Sequence, residues 1–399
     1  MRILSVHNRY QNRGGEEESR EAEERLLRQM NHLVEVYEED NERIKDLNSL
    51  SVAIKTVWST ETYRAIRLHL EKQNCDVVHV QNFFPLISPS VYYAAKAEGV
   101  PVVQTLRNYR LLCPNASFFR DGHPCEDCLG KLVPWPSVVH ACYPRPQRGW
   151  GSRSLTGVVA AMLTTHRVMR TWIKAVDVYV ALSEFSRQKF IEGGFPAEKI
   201  VVKPNFVEPD PGLGEGQGGY ALFVGRLSFE KGVDTMLAAW EQLGPQLPLK
   251  IVGDGPLAGH VAEVTQKLPY VELLGRKPLA EVYDLIGAAK LLIFPSEWYE
   301  TFGRVAVEAF AKGTPVIAAD IGAIAEIVDH GRTGLRFRPG DPEDLAAKVE
   351  WAQAHANEIR QMRHEARAEF EAKYTAKDNY RQLMEIYALA RGKLLPPQP

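Results

Sequence analysis

Twice along this chain, short β-branched apolar runs alternate with amphipathic stretches, and that doubled alternation restricts the possible folds more than any other feature. In the first half the runs are Ile3–Val6, Val34–Tyr37, Val77–Val80, Val102–Leu106 and Val178–Leu182. Between them, 62–74 (TYRAIRLHLEKQN) carries apolar residues at helical spacing, and 88–99 opens on Ser88 and Pro89 and stops at Gly99. Strands alternating with helices read as βαβ units around a parallel sheet. The pattern breaks at 204–219, PNFVEPDPGLGEGQGG, where Pro and Gly displace apolar residues. It restarts with Ala221–Val224, Lys250–Val252, Val271–Leu274, Leu291–Phe294 and Pro315–Ala318. The expectation is an α/β chain of two doubly wound Rossmann-like domains, over 1–204 and 220–372, joined by a linker at 205–219. A helical segment over 373–399 closes the chain, its tail KLLPPQP frayed.

A length of 399 residues suits two domains, and 45% apolar with 25% charged residues excludes collagen-like, disordered and disulfide-scaffold classes. Net charge is −2, so no global excess points to nucleic acid. The distribution is less even. Between Leu129 and Val176 there is no Asp or Glu, while Lys131, Arg145, Arg148, Arg153, Arg167, Arg170 and Lys174 give +7, so the rest carries −9, the difference between −2 and +7. Trp135, Trp150 and Trp172 interleave with these cations, and 158–173 reads as a basic amphipathic helix. Two readings stand: a surface for anionic lipid over 129–176, or a solvated cationic face beside an acidic first helix. Nucleic acid is disfavoured because aromatics and cations share an apolar helical context. The N-terminus has only the short run ILSV, and no run of about 18 uncharged apolar residues occurs. The expectation is a cytoplasmic protein, peripheral at the membrane if the lipid reading holds.

Ligands of open parallel sheets bind outside the carboxyl ends of the strands, which directs attention to the loops there. After the first strand, Gly14 and Gly15 lead into a helical EEESREAEERLL; paired glycines admit close backbone approach, and a helix start offers N–H groups to an anion. A plain turn is the alternative. In VGRLSFEKGVD, Arg226 and Lys231 follow a strand between Gly225 and Gly232. Two cations there can neutralise a diphosphate and stabilise charge growing on it as a leaving group, or they are solvated surface charges. In PSEWYETFGRVAVEAFAKGTPVIA, Glu300 and Glu308 are eight apart, able to accept from two sets of hydroxyls, while Thr301, Phe302 and Gly303 place N–H groups at a helix start.

Taken together, VGRLSFEKG, VGDGPL, LLGR and the E-x7-E of SEWYETFGRVAVEAFAKGTPVIA resemble the retaining glycosyltransferases of family 4, which have the GT-B fold. VQNFFPLISPSVYYAAKAEGVPVVQTL, NYRLLCPN and KPNFV extend the resemblance over almost the whole chain. The resemblance implies two domains facing a central cleft, the first binding acceptor and the second nucleotide sugar, with the C-terminal helix crossing back to the first. It implies transfer from a UDP- or GDP-sugar to a glycan or lipid-linked glycan in surface polysaccharide or glycoconjugate synthesis, without a catalytic metal. Arg226 and Lys231 would bind the diphosphate, Glu300 the transferred sugar, Glu308 the ribose, the backbone at Gly275 and Arg276 the base, and Gly14-Gly15 would close over the phosphates. An epimerase of related architecture fits the R-x4-K loop and E-x7-E less well.

One position departs from the family. Where QTLRNYR carries Arg107, the family usually has His near the donor sugar; Arg is permanently charged and cannot act as a neutral acceptor. A uronic acid donor, an acceptor phosphate contact and impaired catalysis are the three readings, the last making the chain a sugar-nucleotide binding or scaffold protein. Finally, Cys113, Cys125, Cys128 and Cys142 have the spacing C-x11-C-x2-C-x13-C, which suits either a structural zinc or four reduced thiols.

Overall fold

The computed structural model describes residues 1–10, 14–143 and 150–393. Arg145, Arg148 and the tail from Leu394 lie outside them, as does the side chain of Trp150. The chain forms two compact units. The first comprises Met1–Phe118, Cys125–Pro204 and the chain from Asn379; the second comprises Phe119–Pro124 and Asn205–Asp378.

The first unit is built on β1 (Arg2–Arg9), β2 (Leu33–Asp40), β3 (Val77–Asn82), β4 (Val102–Leu106), β7 (Val178–Ala181) and β8 (Ile200–Val202), all parallel, in the order β2-β1-β3-β4-β7-β8. Two-residue β5 (Phe119–Arg120) and β6 (His123–Pro124) make an antiparallel hairpin that groups with the second unit. Every residue of β3 and β4 is buried, as expected for central parallel strands covered on both faces. Ile3, Val77, Val103, Val178 and Val180 share a core with Leu383, Ile386 and Tyr387 of the helix Ala376–Ala390. The last helix therefore completes the first unit, and the chain rejoins it at Asn379 rather than at 373.

The second unit has β9 (Ala221–Val224), β10 (Leu249–Val252), β11 (Val271–Gly275), β12 (Leu291–Phe294), β13 (Val316–Ala319) and β14 (Gly334–Phe337), parallel, in the order β11-β10-β9-β12-β13-β14. Its core gathers Met236, Trp240, Ile251, Ile293, Ile317 and Phe337. Two edge strands, β8 and β14, escape the apolar-run reading. Each is short, and β14 (GLRF) includes Gly and Arg.

The linker segment 205–219 is pinned along part of its length. The Gly214, Gly216 and Gly218 N–H groups donate to the carbonyls of Lys312, Gly287 and Ala288 at 3.0, 2.9 and 2.8 Å. A Cβ on Gly214 would stand 2.2 Å from the Gly287 Cα. These glycines strap an extended chain onto the second unit, where side chains would not fit.

In both sheets the order reverses once. The chain runs from β1 outward to β2 and then crosses to β3; it runs from β9 through β10 to β11 and then crosses to β12. Ligand sites of open α/β sheets lie at such reversals.

Candidate functional site

In the second unit the reversal lies between β9 and β12, and the loops after these strands carry most of the expected residues. Gly232 has φ +65°, and a Cβ there would come within 1.9 Å of the Pro295 carbonyl oxygen. Only glycine lets the loop after β9 approach the end of β12 so closely. That approach brings Lys231 to Glu300: Lys231 Nζ donates to Glu300 Oε1 at 2.5 Å, and Ser296 Oγ donates to the same oxygen at 2.9 Å. Lys231 Nζ also sits 5.3 Å from the centre of the Trp298 ring. Glu300 is buried, so its charge depends on this cation and hydroxyl. Arg226 is exposed on the same loop.

Beyond Thr301 and the buried Phe302 and Gly303, the helix Arg304–Ala311 starts without a side-chain cap. Glu308 is buried on it and accepts from Arg304 Nε at 2.9 Å, one turn away. Gly275, in the left-handed region at φ +68°, ends β11, and Arg276 is exposed beside it. The structure thus joins Lys231 to Glu300 directly and arranges Arg226, Gly275, Arg276 and Glu308 at or near neighbouring strand ends of the second unit. Sequence reading missed Ser296 and Glu297. Thr235 Oγ1 donates to Glu297 Oε1 at 2.5 Å, and burial raises the Glu297 carboxyl, opposed by that hydrogen bond. The second carboxylate of SEWYE was the available signal.

In the first unit the reversal lies between β1 and β3. Gly14 precedes the helix Gly15–Gln29 with φ −144°, and an added Cβ would meet nothing within 4 Å, so the fold itself does not require glycine there. Arg107, just after β4, is buried; its Nε and Nη2 donate to Gln81 Oε1 at 2.9 and 2.7 Å. Gln81 Nε2 donates onward to Glu23 Oε1 at 2.9 Å, and Lys203 Nζ donates to Glu23 Oε2 at 2.8 Å. Burial alone would raise the Glu23 carboxyl, but the charge of Lys203, its hydrogen bond and the charge of Arg107 carry it down to about 2. Burial pushes His79 down to about 4, so its ring is neutral between Tyr387 and Thr105, each 2.8 Å away. Glu16, in the first turn of the helix, is pushed by burial up to about 7 against the pull of Arg107. Glu16, Glu23, Gln81 and Lys203 went unnoticed in the sequence because they are far apart and no local spacing relates them.

The four cysteines keep both readings, a structural zinc or reduced thiols. Among the described residues no three His, Cys, Asp or Glu side chains form a group that could hold a metal ion. Cys128 is buried with its Sγ directed at the Pro134 carbonyl at 3.8 Å. Burial raises its thiol, opposed by hydrogen bonds with Ser137. The basic stretch is revised. Trp172 is buried against Phe83 and Phe195, and Arg167 is tied to the Leu111 and Leu112 carbonyls at 3.2 and 3.1 Å. What the surface exposes instead is Leu132, Val133, Trp135, Val139, Val168 and Met169, with Lys131, Arg153, Arg170 and Lys174. No helix among the described residues is long and apolar enough to cross a membrane.

Residues 211–369 match the model for glycosyl transferases group 1, and residues 45–205 match that for a glycosyl transferase 4-like domain. An uncharacterized glycosyltransferase of Methanocaldococcus jannaschii is 33% identical over 175 residues, which cover 43% of this chain and 48% of that protein. A glycogen synthase of Mycobacterium tuberculosis is 31% identical over 232 residues, 54% of each. The chain spans about half the length of these curated relatives. Among solved structures, Anabaena Alr3699/HepE in complex with UDP superposes with a TM-score of 0.68 at 20% identity, covering 96% of this chain and 99% of that one. The two parallel α/β units and these neighbours agree with the GT-B fold.

Proposed function

The matches over both halves of the chain support a GT-B glycosyltransferase, and we propose that it transfers a hexose-type sugar, with retention, from a UDP- or GDP-sugar to a glycan or lipid-linked glycan. The observation that carries the donor clause is the Lys231–Glu300 pair, seated with Arg226 where the second sheet reverses. Lys231 and Arg226 neutralise the diphosphate, and their attraction grows as negative charge develops on it in the transition state. Glu300 accepts from sugar hydroxyls, Glu308 from the ribose, and the backbone at Gly275 and Arg276 meets the base. Thr301, Phe302 and Gly303 offer N–H groups to the donor. Gly14 and Gly15 approach the phosphates, which explains a glycine at 14 that packing does not demand. The bond from the anomeric carbon to the phosphate oxygen breaks as a bond to the acceptor oxygen forms on the same face. The acceptor hydroxyl proton passes to the leaving phosphate, so neither a metal nor a dedicated base is needed. The HepE structures with UDP and with UDP-glucose support a uridine donor.

Binding without transfer is the competing reading, raised by Arg107. The hydrogen-bonded placement of that side chain on Gln81 favours a built site over a decayed one. A thermal-shift screen of UDP-, GDP- and ADP-sugars tests the donor: a ligand at about 100 times its Kd stabilises the native state by about 2.7 kcal/mol. One sugar nucleotide is expected to stand out, and NMR of the product is expected to show the donor's anomeric configuration kept. An inverted product, or no shift with any donor, defeats the reading.

The acceptor clause draws on the exposed apolar and basic surface of the first unit, which suits an anionic membrane at whose cytoplasmic face a lipid-linked acceptor is held. Each Lys or Arg near such a surface contributes about 1 kcal/mol. Sedimentation with vesicles of anionic lipid at low salt is expected to carry the protein down, vesicles of neutral lipid are not, and Trp135→Ala with Leu132→Ala is expected to weaken the association. Equal sedimentation with both lipids removes the membrane clause.

A further inference from the structure

The ammonium of Lys231 has two neighbours of different kinds. On one side is Glu300 Oε1, at 2.5 Å, which also accepts from Ser296 Oγ. On another is the face of the Trp298 ring, whose centre lies 5.3 Å from Nζ. That distance is within reach of a cation–π attraction, for which Trp is the best aromatic side chain. The backbone fixes the approach. The Glu297 N–H donates to the Glu230 carbonyl at 3.0 Å, so the next residue of each loop, Trp298 and Lys231, is brought alongside the other. The Glu300 N–H donates to the Trp298 carbonyl at 3.0 Å and closes the turn that carries the ring.

The ring is kept for its face rather than for its N–H. Trp298 is partly buried, and its Nε1 is shielded from solvent with no hydrogen-bond partner among the described residues. A buried indole N–H ordinarily finds an acceptor, and leaving it without one is costly. Phenylalanine would fill much of the same space without that cost, but it offers a cation a weaker face. Lysine, for its part, is a compact charge on a flexible four-carbon stem, and it loses rotamer freedom when it is aimed. One hydrogen bond to Glu300 leaves that stem free to turn about it; the ring supplies a second point of attachment. The ammonium carries three N–H groups, and the Lys231 side chain stays 23% exposed, so a direction is left for a ligand oxygen.

We propose that Trp298 is a positioning residue for Lys231: its ring face holds the ammonium beside Glu300, aimed in advance at the charge that grows on the leaving diphosphate. This rests on the transferase reading and adds to it the residue that preorganises the lysine cation. A charge held in place beforehand needs no reorganisation as the bond breaks, so loosening it is felt in the transition state more than in donor binding. Trp298 acts through Lys231, and no bond is made or broken at the ring.

Tryptophans carrying one to four fluorines, installed at position 298 by stop-codon suppression, test this, because each fluorine weakens the attraction of the face for a cation and hardly changes the shape. Release of nucleoside diphosphate from the UDP-, GDP- and ADP-sugars of the thermal-shift screen gives kcat and KM across the series. The logarithm of kcat is expected to fall in steps with fluorine number, while KM stays within about twofold. Trp298→Leu is expected to lower kcat by about 3- to 30-fold, the range open to such a contact. In a Lys231→Ala background the same change is expected to cost nothing further, as for two residues that act as a unit. NMR of the ligand-free protein is expected to show the Lys231 ε-methylene protons shifted upfield by the ring current, and the shift is expected to vanish in Trp298→Leu.

Equal kcat across the fluorinated series overturns the proposal, since a ring that acts by shape alone behaves in that way. A raised KM at unchanged kcat, an additive loss in the double variant, or Lys231 protons without the ring-current shift overturns it as well. Any of these results in a protein that turns over a donor removes this inference and leaves the transferase reading standing. A wild-type protein that turns over none of the donors overturns that reading and this role with it, even where the ring-current shift is present.

Discussion

Replacing Lys231 by alanine is expected to lower kcat by about 100- to 1,000-fold, the cost of removing one preorganised charge stabiliser at a developing oxyanion. The side chain is held at 2.5 Å from Glu300 Oε1 before any donor arrives, so it needs no reorganisation when charge moves onto the diphosphate. Alanine removes that cation from the buried Glu300, whose Oε1 keeps its hydrogen bond from the Ser296 hydroxyl. Steady-state kinetics with the donor found by the thermal-shift screen distinguishes the possible roles. A fall in kcat and kcat/KM together means Lys231 acts in the transition state, whereas a raised KM at unchanged kcat means it serves ground-state binding alone. The second outcome, or less than a tenfold loss, would refute the role given to Lys231.

The second large effect belongs to the first unit's interior. Lys203→Met is expected to destabilise that unit by about 3–5 kcal/mol, because it leaves Glu23 ionised, buried and without its cation. Lys203 Nζ lies 2.8 Å from Glu23 Oε2, and both side chains are almost wholly enclosed. Pairing the change with Glu23→Leu is expected to recover most of the loss, since hydrophobic replacement of a whole buried ion pair is often neutral. Urea denaturation of the two single variants and the double variant measures the coupling. Additive losses would mean that the pair does not act as a unit.

Both sheets were legible because their strands are β-branched runs buried on two faces, as in β3 and β4, and such runs stand out against amphipathic helices. The meeting of Lys231 and Glu300 was legible for a related reason. Lys231 and Glu300 are distant in sequence, but each sits in a loop just past an apolar run, and a reversal in strand order places those loops side by side. The buried cluster had no such signature. Glu23 and Lys203 are 180 positions apart, and each looks locally like an ordinary surface charge. The packing of the glycines of 205–219 was not legible for a different reason. Composition cannot tell a glycine that frees the chain from one that lets it pack within 2.2 Å of a neighbouring backbone. Trp172 misled in the same way, since helical spacing among cations does not say which side of the helix is the wet one.

The return of the chain's final helix to the first sheet sets an order of assembly opposite to the order of synthesis. Residues 205–378, which hold all six strands of the second sheet, are one continuous stretch of chain. Leu383, Ile386 and Tyr387, by contrast, close the core around Ile3 and Val77. The stitch at the crossing is Asn379, whose side chain accepts from Lys203 Nζ at 3.2 Å and donates to the Pro204 carbonyl at 2.9 Å. The first unit therefore acquires its last wall only after the whole sequence of the second unit has been made.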